Sequence, residues 1–252
     1  MKVLIVTSQI TYIPGNYHQL LRGLLEFGQK TPQIEVVALA GIKTLNASLL
    51  KTILGLPLLG VRDLPTSLTR NILYLPLQRR LRLSHEYKVP YLTWDSMNSK
   101  TAINYVKEKE IDLILNLRTR DIYKNDILKA PKLGCINLHH GLLPDYRGTF
   151  CDLYALSERR PAGFSLHKME RKIDHGDIYA VETVSDQYEP SYMNYLKKTE
   201  EKELEIIKEF LKRVMENKAL PVGMKNTSEN IKYSKNPDRK QIKEFLAQGM
   251  IL

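Results

Sequence analysis

Three uninterrupted apolar runs constrain the fold more than any other feature: KVLIVTS at 2–8, IEVVALA at 34–40 and IDLILNL at 111–117. A strand with one face in water alternates apolar and polar residues. A run without that alternation must be covered on both faces, as parallel strands between two helix layers are. Between the first two runs Pro14-Gly15-Asn16 breaks the chain, and YHQLLRGLLEFGQK then sets Leu20, Leu21, Leu24, Leu25 and Phe27 at helical spacing. Strand, helix, strand begins an α/β fold with a Rossmann-like, doubly wound and mainly parallel sheet. VPYLTWD (89–95) predicts a third strand, IDLILNL a fourth and GCINLH (134–139) a fifth. The helix KTAINYVKEKE lies between the third and fourth, capped by Ser96 or Asn98. RTRDIYKNDILKA predicts a loop and a short helix, TFCDLYALSERR (149–160) a helix, and GFSLHKM (163–169) and GDIYAVETV (176–184) two further strands. A long charged helix follows over about 192–217, then an interrupted tail with a short helix near 241–248.

Residues 42–88 break the alternation. A crossover needs one helix, yet this stretch holds TLNASLLKTILGLPLLGV and the Arg-studded TRNILYLPLQRRLRL, cut by Pro57, Pro65 and Pro76. It is read as a helical insertion in a principal domain over 1–190, with a C-terminal helix and tail over 191–252. The net charge is +10, and the excess is local: eight Lys and Arg against two Asp and Glu in 42–90, and thirteen against nine in 191–252. Such segments suit a solvated surface, and they also attract nucleic acid, an anionic membrane or an acidic small molecule. Over 45–83 an apolar face flanked by arginines can pack on its own domain, lie on a membrane surface, or meet a second copy in a homodimer.

Several classes are set aside. There is no run of 18 uncharged apolar residues to span a bilayer. MKVLIVTSQITYIPG lacks the longer apolar core and small-residue cleavage site of a signal peptide. Cys135 and Cys151 are too few for a disulfide framework and lack the paired spacing of a zinc site. They are read as buried and inert in a reducing, cytoplasmic setting.

The chemistry concentrates in GCINLHHGLLPDYRG (134–148). Asn137 and His139 are two apart on a strand and point to the same face, at the carboxyl end where open α/β sheets bind ligands. Asp174 lies in the turn between the two later strands. An amide, an imidazole and a carboxylate meeting there suit acyl transfer to an amine. The imidazole takes the proton of the attacking amine, the amide donates to the oxyanion, and the carboxylate orients the imidazole or an ordered water. A metal site is set aside, since the adjacent His139 and His140 point to opposite faces.

These motifs resemble the folate-dependent formyltransferase family, which includes glycinamide ribonucleotide transformylase, methionyl-tRNA formyltransferase and the amino-sugar N-formyltransferases. The resemblance rests on N-x-H-x-x-L-L-P-x-Y-R-G, then a G-[FT]-[ST]-[LV]-H strand, then I-D-x-G. It spans roughly residues 1–185 and is densest over 111–180. It implies that residues 1–190 form a formyltransferase catalytic domain with Asn137, His139 and Asp174 as its catalytic set. It also implies 10-formyltetrahydrofolate as formyl donor. The donor pocket falls on Arg118–Tyr123 (Arg118, Arg120, Asp121, Ile122 and Tyr123) and, opposite, on Arg171–Asp174, including Lys172 and Ile173. The turn Leu142-Leu143-Pro144 looks like the family's rigid support for the catalytic strand. His167 matches a position read as structural support. Asp145, Tyr146 and Arg147 are expected at the mouth of the acceptor pocket, unless Asp145 and Arg147 simply pair on the surface.

The sequence departs from the family pattern in three places. Gly141 stands where a serine is usual. SQITYIPGNYH lacks the glycine-rich loop that holds a glycinamide ribonucleotide. The tail of about 60 residues is short for a tRNA-binding barrel. A small amine acceptor, best a nucleotide-linked amino sugar, therefore leads. The alternatives are a methionyl-tRNA formyltransferase-like enzyme and a non-catalytic protein that docks on RNA or membrane with the same scaffold, nucleic acid ranking below a small molecule as partner.

Overall fold

The computed structural model describes residues 1–75 and 79–252. β1 (Lys2–Ser8) is buried from Val3 onward because β2 and β4 flank it in parallel and helices cover both faces. The chain runs from β1 through α1 (His18–Lys30), β2 (Glu35–Ile42), α2 (Ala47–Gly55), α3 (Asp63–Leu73) and α4 (Arg79–Tyr87) to β3 (Tyr91–Trp94). It continues through α5 (Lys100–Glu108), β4 (Leu113–Leu117), α6 (Asn125–Leu128), β5 (Gly134–His139), β6 (Tyr146–Gly148) and α7 (Cys151–Ser157). Then come β7 (Ala162–Lys168), β8 (Ile178–Ser185), α8 (Tyr192–Asn217), β9 (Lys232–Ser234) and α9 (Arg239–Ala247). The main sheet has the order β3-β2-β1-β4-β5-β7-β8. Its first five strands are parallel; β7 pairs antiparallel to β5, and β8 pairs antiparallel to β7.

Alternation along the strands sorts side chains into two cores. Ile5, Leu115, Ile136 and Leu138 pack with Leu20, Leu21, Leu24 and Leu25 of α1 and with Tyr195, Leu196, Ile207 and Phe210 of α8. Burying each such aliphatic side chain contributes roughly 1.5–3 kcal/mol, so this shared face ties α8 to the sheet. Glu200 of α8 also accepts the Leu20 N–H at 3.0 Å in the first turn of α1. The opposite face packs Leu4, Val6, Ala38, Ile114 and Cys135 against Ala102 and Val106 of α5 and Ile127 of α6. Beyond Cys135 that face of β5 turns polar: Asn137 pairs with His167 and His139 with Ser165.

The expected insertion contains α2, α3 and α4. Pro57 opens a short 3-10 turn and Pro65 lies in the first turn of α3, while Pro76 is outside the described residues. Leu64 and Leu68 of α3 are buried, but α2 buries nothing and leaves Leu50 and Leu54 exposed, with Leu58 just beyond it. Among the described residues no helix is long and apolar enough to cross a membrane.

Two local expectations need correction. The cap of α5 is Ser99, whose side chain accepts from Ala102 N. Ser96 and Asn98 instead bind the Asp121 carboxylate and the backbone around it. The tail is also more ordered than its interruptions suggest: β9 pairs with β6, opposing Arg147 with Tyr233 and Gly148 with Ser234.

Candidate active site

The site occupies the polar end of β5, held between the loop after β4 and the β7–β8 connection. Asn116, the one polar residue of β4, pairs with Asn137 in register and donates from Nδ2 to Asn137 Oδ1 at 2.7 Å. Thr119 and Tyr123 donate to Asn116 Oδ1 at 2.7 and 3.3 Å. This chain of bonds turns the Asn137 Nδ2 toward His167 Nε2, 3.2 Å away. His167 Nδ1 donates to the Lys168 carbonyl at 2.8 Å, which leaves its Nε2 as the acceptor of the amide.

His139 is almost fully buried, and its Nε2 donates to the Tyr146 carbonyl at 2.8 Å. Its Nδ1 lies 3.7 Å from Asp174 Oδ2. Burial lowers the proton affinity of His139 below that of an ordinary histidine, with Asp174 acting in the opposite direction. Asp174 sits in the left-handed region at φ 53°. Its Oδ2 accepts the Gly148 N–H at 2.9 Å and its Oδ1 lies 3.4 Å from His167 Nε2. Burial alone would push this carboxyl up, but the two histidines and the Gly148 N–H hold it well below the usual carboxylate range. The structure thus brings Asn137, His139 and Asp174 together, and adds His167 between the amide and the carboxylate.

Gly141 explains one departure in sequence. A Cβ there would lie 2.5 Å from His139 Nε2, 2.8 Å from the Cys151 Cβ and 2.8 Å from the Tyr146 carbonyl oxygen. A side chain and this His139 position exclude one another. The following turn, with a cis Leu143–Pro144 peptide, is tied to β7 by Ser165, which donates to Gly141 O at 2.7 Å and accepts the Leu143 N–H at 3.0 Å. Cys151 Sγ is 3.7 Å from His139 Nε2, but burial pushes its thiol up to about 12. The pair is therefore not an activated thiolate and imidazolium.

The residues expected to bind the donor divide by exposure. Ile122 and Ile173 are large apolar side chains open to solvent on the two sides of the site, at 61% and 51% exposure. Arg120, Arg171 and Lys172 are exposed beside them. Tyr123 is buried under Asn116, and Asp121 holds Ser96 and the Met97 N–H. Arg118 turns inward instead. Its Nη2 donates to Tyr12 OH at 2.5 Å and its Nη1 approaches His140 Nε2 at 3.2 Å. Behind β5, His140 contacts Asp152 Oδ2 at 2.9 Å and Glu203 Oε1, while Tyr192 donates to Asp152 at 3.0 Å.

Of the three residues expected at the acceptor mouth, Asp145 and Tyr146 are half-buried and Arg147 is completely buried. Arg147 does not pair with Asp145 on the surface; its guanidinium is bonded to the tail and to His175. Asn116 and Ser165 are polar interruptions in apolar runs, a signal the sequence carried. Asn226 and Tyr233 of the tail carry no such signal. Among the described residues no group of three or more His, Cys, Asp or Glu is arranged to hold a metal ion.

Against known proteins, the sequence model described as "Formyl transferase" matches residues 82–211, just over half of the chain. The match begins in α4 and runs into α8, later at both ends than the motifs alone indicate. The bifunctional polymyxin resistance protein ArnA of Wigglesworthia glossinidia brevipalpis is 32% identical over 136 residues, 54% of this chain and 21% of that protein. A methionyl-tRNA formyltransferase of Bacillus cereus is 29% identical over 161 residues, 64% of this chain and 51% of the relative. The chain thus spans about a fifth of the first relative and about half of the second. A sugar N-formyltransferase from a Shewanella species superposes with a TM-score of 0.58 at 18% identity, covering 97% of this chain and 86% of the other, a likeness of fold. With the family's sequence model running from α4 through the whole polar end of β5 and into α8, this chain belongs to the formyl transferase family.

Proposed function

We propose that the chain transfers a formyl group from 10-formyltetrahydrofolate to a primary amine on a small acceptor, best a nucleotide-linked amino sugar. The observation that carries this is the convergence of Asn137, His139 and Asp174 at one sheet end. The amine nitrogen attacks the formyl carbon, and the carbonyl electron pair moves onto oxygen. Asn137 Nδ2 has two N–H groups; one faces His167, and the other donates to the developing oxyanion. His139, neutral and protonated on Nε2, accepts the amine proton on Nδ1. The imidazolium then lies between the Tyr146 carbonyl and the Asp174 carboxylate. Collapse of the tetrahedral intermediate breaks the bond between the formyl carbon and N10 of the folate, and the proton passes to that nitrogen.

The residues around the site fit such a donor. Ile122 and Ile173 supply apolar surface for a flat ring, and Arg120, Arg171 and Lys172 supply cations for carboxylates. An anionic acceptor is supported by a cavity of about 230 Å³ between the β1–α1 connection and the insertion, lined by Asn16, His18, Asn71, Arg79 and Arg80. The Shewanella neighbour is named a sugar N-formyltransferase, which favours a sugar amine. The relative from Bacillus cereus favours methionyl-tRNA as the second reading.

Calorimetric titration with 5-formyltetrahydrofolate, a stable stand-in for the donor, tests the reading. Saturable one-site binding is expected, followed by formylation of a nucleotide-linked amino sugar in preference to methionyl-tRNA. No binding by the folded protein overturns it.

A further inference from the structure

Arg147 is fully buried, and almost every group that compensates its charge comes from far along the chain. Its Nη2 donates to the Asn226 carbonyl at 2.8 Å and to Asn226 Oδ1 at 3.1 Å. Its Nη1 donates to Tyr233 OH at 3.3 Å and contacts His175 Nε2. Tyr233 stacks on His175, 2.7 Å from its Nε2. Asn226 itself is 95% buried, and its Nδ2 donates to two carbonyls, Asp174 O and Gly176 O, both at 2.9 Å. The first of these carbonyls belongs to the residue whose backbone is held at φ 53°, and the second lies two residues further along the same turn. On the other side, Gly148 N–H holds the Asp174 carboxylate, and β6 and β9 fix Gly148 against Ser234. A Cβ on Gly148 would fall 2.1 Å from the Ser234 carbonyl oxygen, so the approach is set by glycine.

The apolar side chains that anchor the tail lie further on, at Ile242, Phe245, Met250 and Leu252, and over 222–234 none is buried. Val222 is 98% exposed, and Met224 and Tyr233 are mostly exposed as well. The buried anchor of this stretch is polar and lies against Asp174. A buried carbonyl left unpaired is destabilising, so the anchor has to satisfy the carbonyls of the Asp174 turn as well as Arg147.

We propose that Asn226 is a positioning residue for Asp174, acting with Arg147 and Tyr233 as a clasp that keeps the Asp174 carboxylate facing His139 and His167. None of the three touches the reacting atoms. The assignment rests on Asp174 being part of the reacting centre, and it gives the tail, which lies beyond the family match, a part in the site.

The test needs no substrate. Among the described residues the titratable groups acting on His139 are Asp174, His167, the adjacent His140 and the Cys151 thiol; of these only Asp174 favours the imidazolium, so the His139 NMR titration midpoint reports where the Asp174 charge sits. Histidine-labelled wild type, Asp174→Asn, Asn226→Ala and Asn226→Leu are titrated, with near-ultraviolet circular dichroism as the check on folding. Leucine keeps the bulk of asparagine without its donors. Asp174→Asn is expected to lower the His139 midpoint, and both Asn226 variants are expected to reproduce at least half of that shift. An unchanged midpoint in a folded Asn226 variant overturns the proposal, as does an Asp174→Asn variant with no shift. Loss of folate binding in the wild type would overturn the formyl-transfer reading while leaving this result standing.

Discussion

His139 Nε2 and the Tyr146 carbonyl oxygen lie 2.8 Å apart, and that bond determines which ring nitrogen can take a proton. A carbonyl only accepts, so Nε2 carries the hydrogen and the free lone pair is on Nδ1, facing Asp174. Burial lowers the proton affinity of the ring. The neutral form therefore persists to lower pH than in free histidine, and under the proposed role of His139 the acid limb of kcat/KM should fall below the ordinary midpoint of about 6.5. Asp174 favours the imidazolium, so Asp174→Asn should move that limb lower still while reducing the plateau by about 10²–10⁴-fold, the usual scale of acid–base catalysis. A pH–rate profile checks both, and an acid limb above the ordinary value would contradict the assignment.

Gly141→Ser restores the residue usual in the family, yet it should impair this chain. Its Cβ would lie 2.5 Å from His139 Nε2 and 2.8 Å from the Tyr146 oxygen. Overpacking of this kind costs about 1–3 kcal/mol. With His139 as the neighbour that must move, the proposed role of its ring requires kcat to fall on the order of 10–100-fold, while folate affinity stays near wild type. Single-turnover kinetics beside calorimetry separates the two.

Ile122 and Ile173 are exposed and support nothing else in the core. Covering such a side chain with a ligand contributes roughly 1.5–3 kcal/mol. Ile122→Ala and Ile173→Ala should each weaken 5-formyltetrahydrofolate binding about tenfold or more, with no change in Tm. Unaltered affinity in both would remove these residues from the donor pocket.

Glu200 gives the fold a pH dependence apart from the chemistry. Burial raises its carboxyl to about 7, although it accepts the Leu20 N–H. The folded chain thus binds a proton there more tightly than the unfolded chain, and stability falls as pH rises from the unfolded value through about 7. Glu200→Gln, which keeps an acceptor and cannot ionise, should have a higher Tm than wild type at pH 8, and the difference should vanish below the unfolded carboxyl value, at about pH 4. Thermal melts at the two values decide the matter.

Much of this was legible in the sequence because the period of two along β5 carries both fold and site. The run GCINLH gives the strand from Gly134 to His139 and places Asn137 and His139 on one face. The long helix over 192–217 coincides with α8. His167 was legible as a residue and underestimated in position: only the β5–β7 register puts it opposite Asn137, and registers between strands 30 residues apart are not written locally. Arg147 shows the opposite failure. An arginine in an irregular stretch reads as surface, and nothing nearby signals the buried partner 79 residues away. The α5 cap was misplaced because Ser96, Asn98 and Ser99 are equally plausible caps until Asp121 engages the first two.

The separation between Arg147 and Asn226 also sets an order of events during synthesis. The strands that carry Asn137 and His139 leave the ribosome well before the residue that holds the Asp174 turn, and local pairings close faster than distant ones. A nascent chain stalled after α8 would already possess its sheet and its histidines while Asp174 still lacked its clasp. In this protein, completing the strands of the main sheet and closing the contacts around the Asp174 turn are separate moments of its birth.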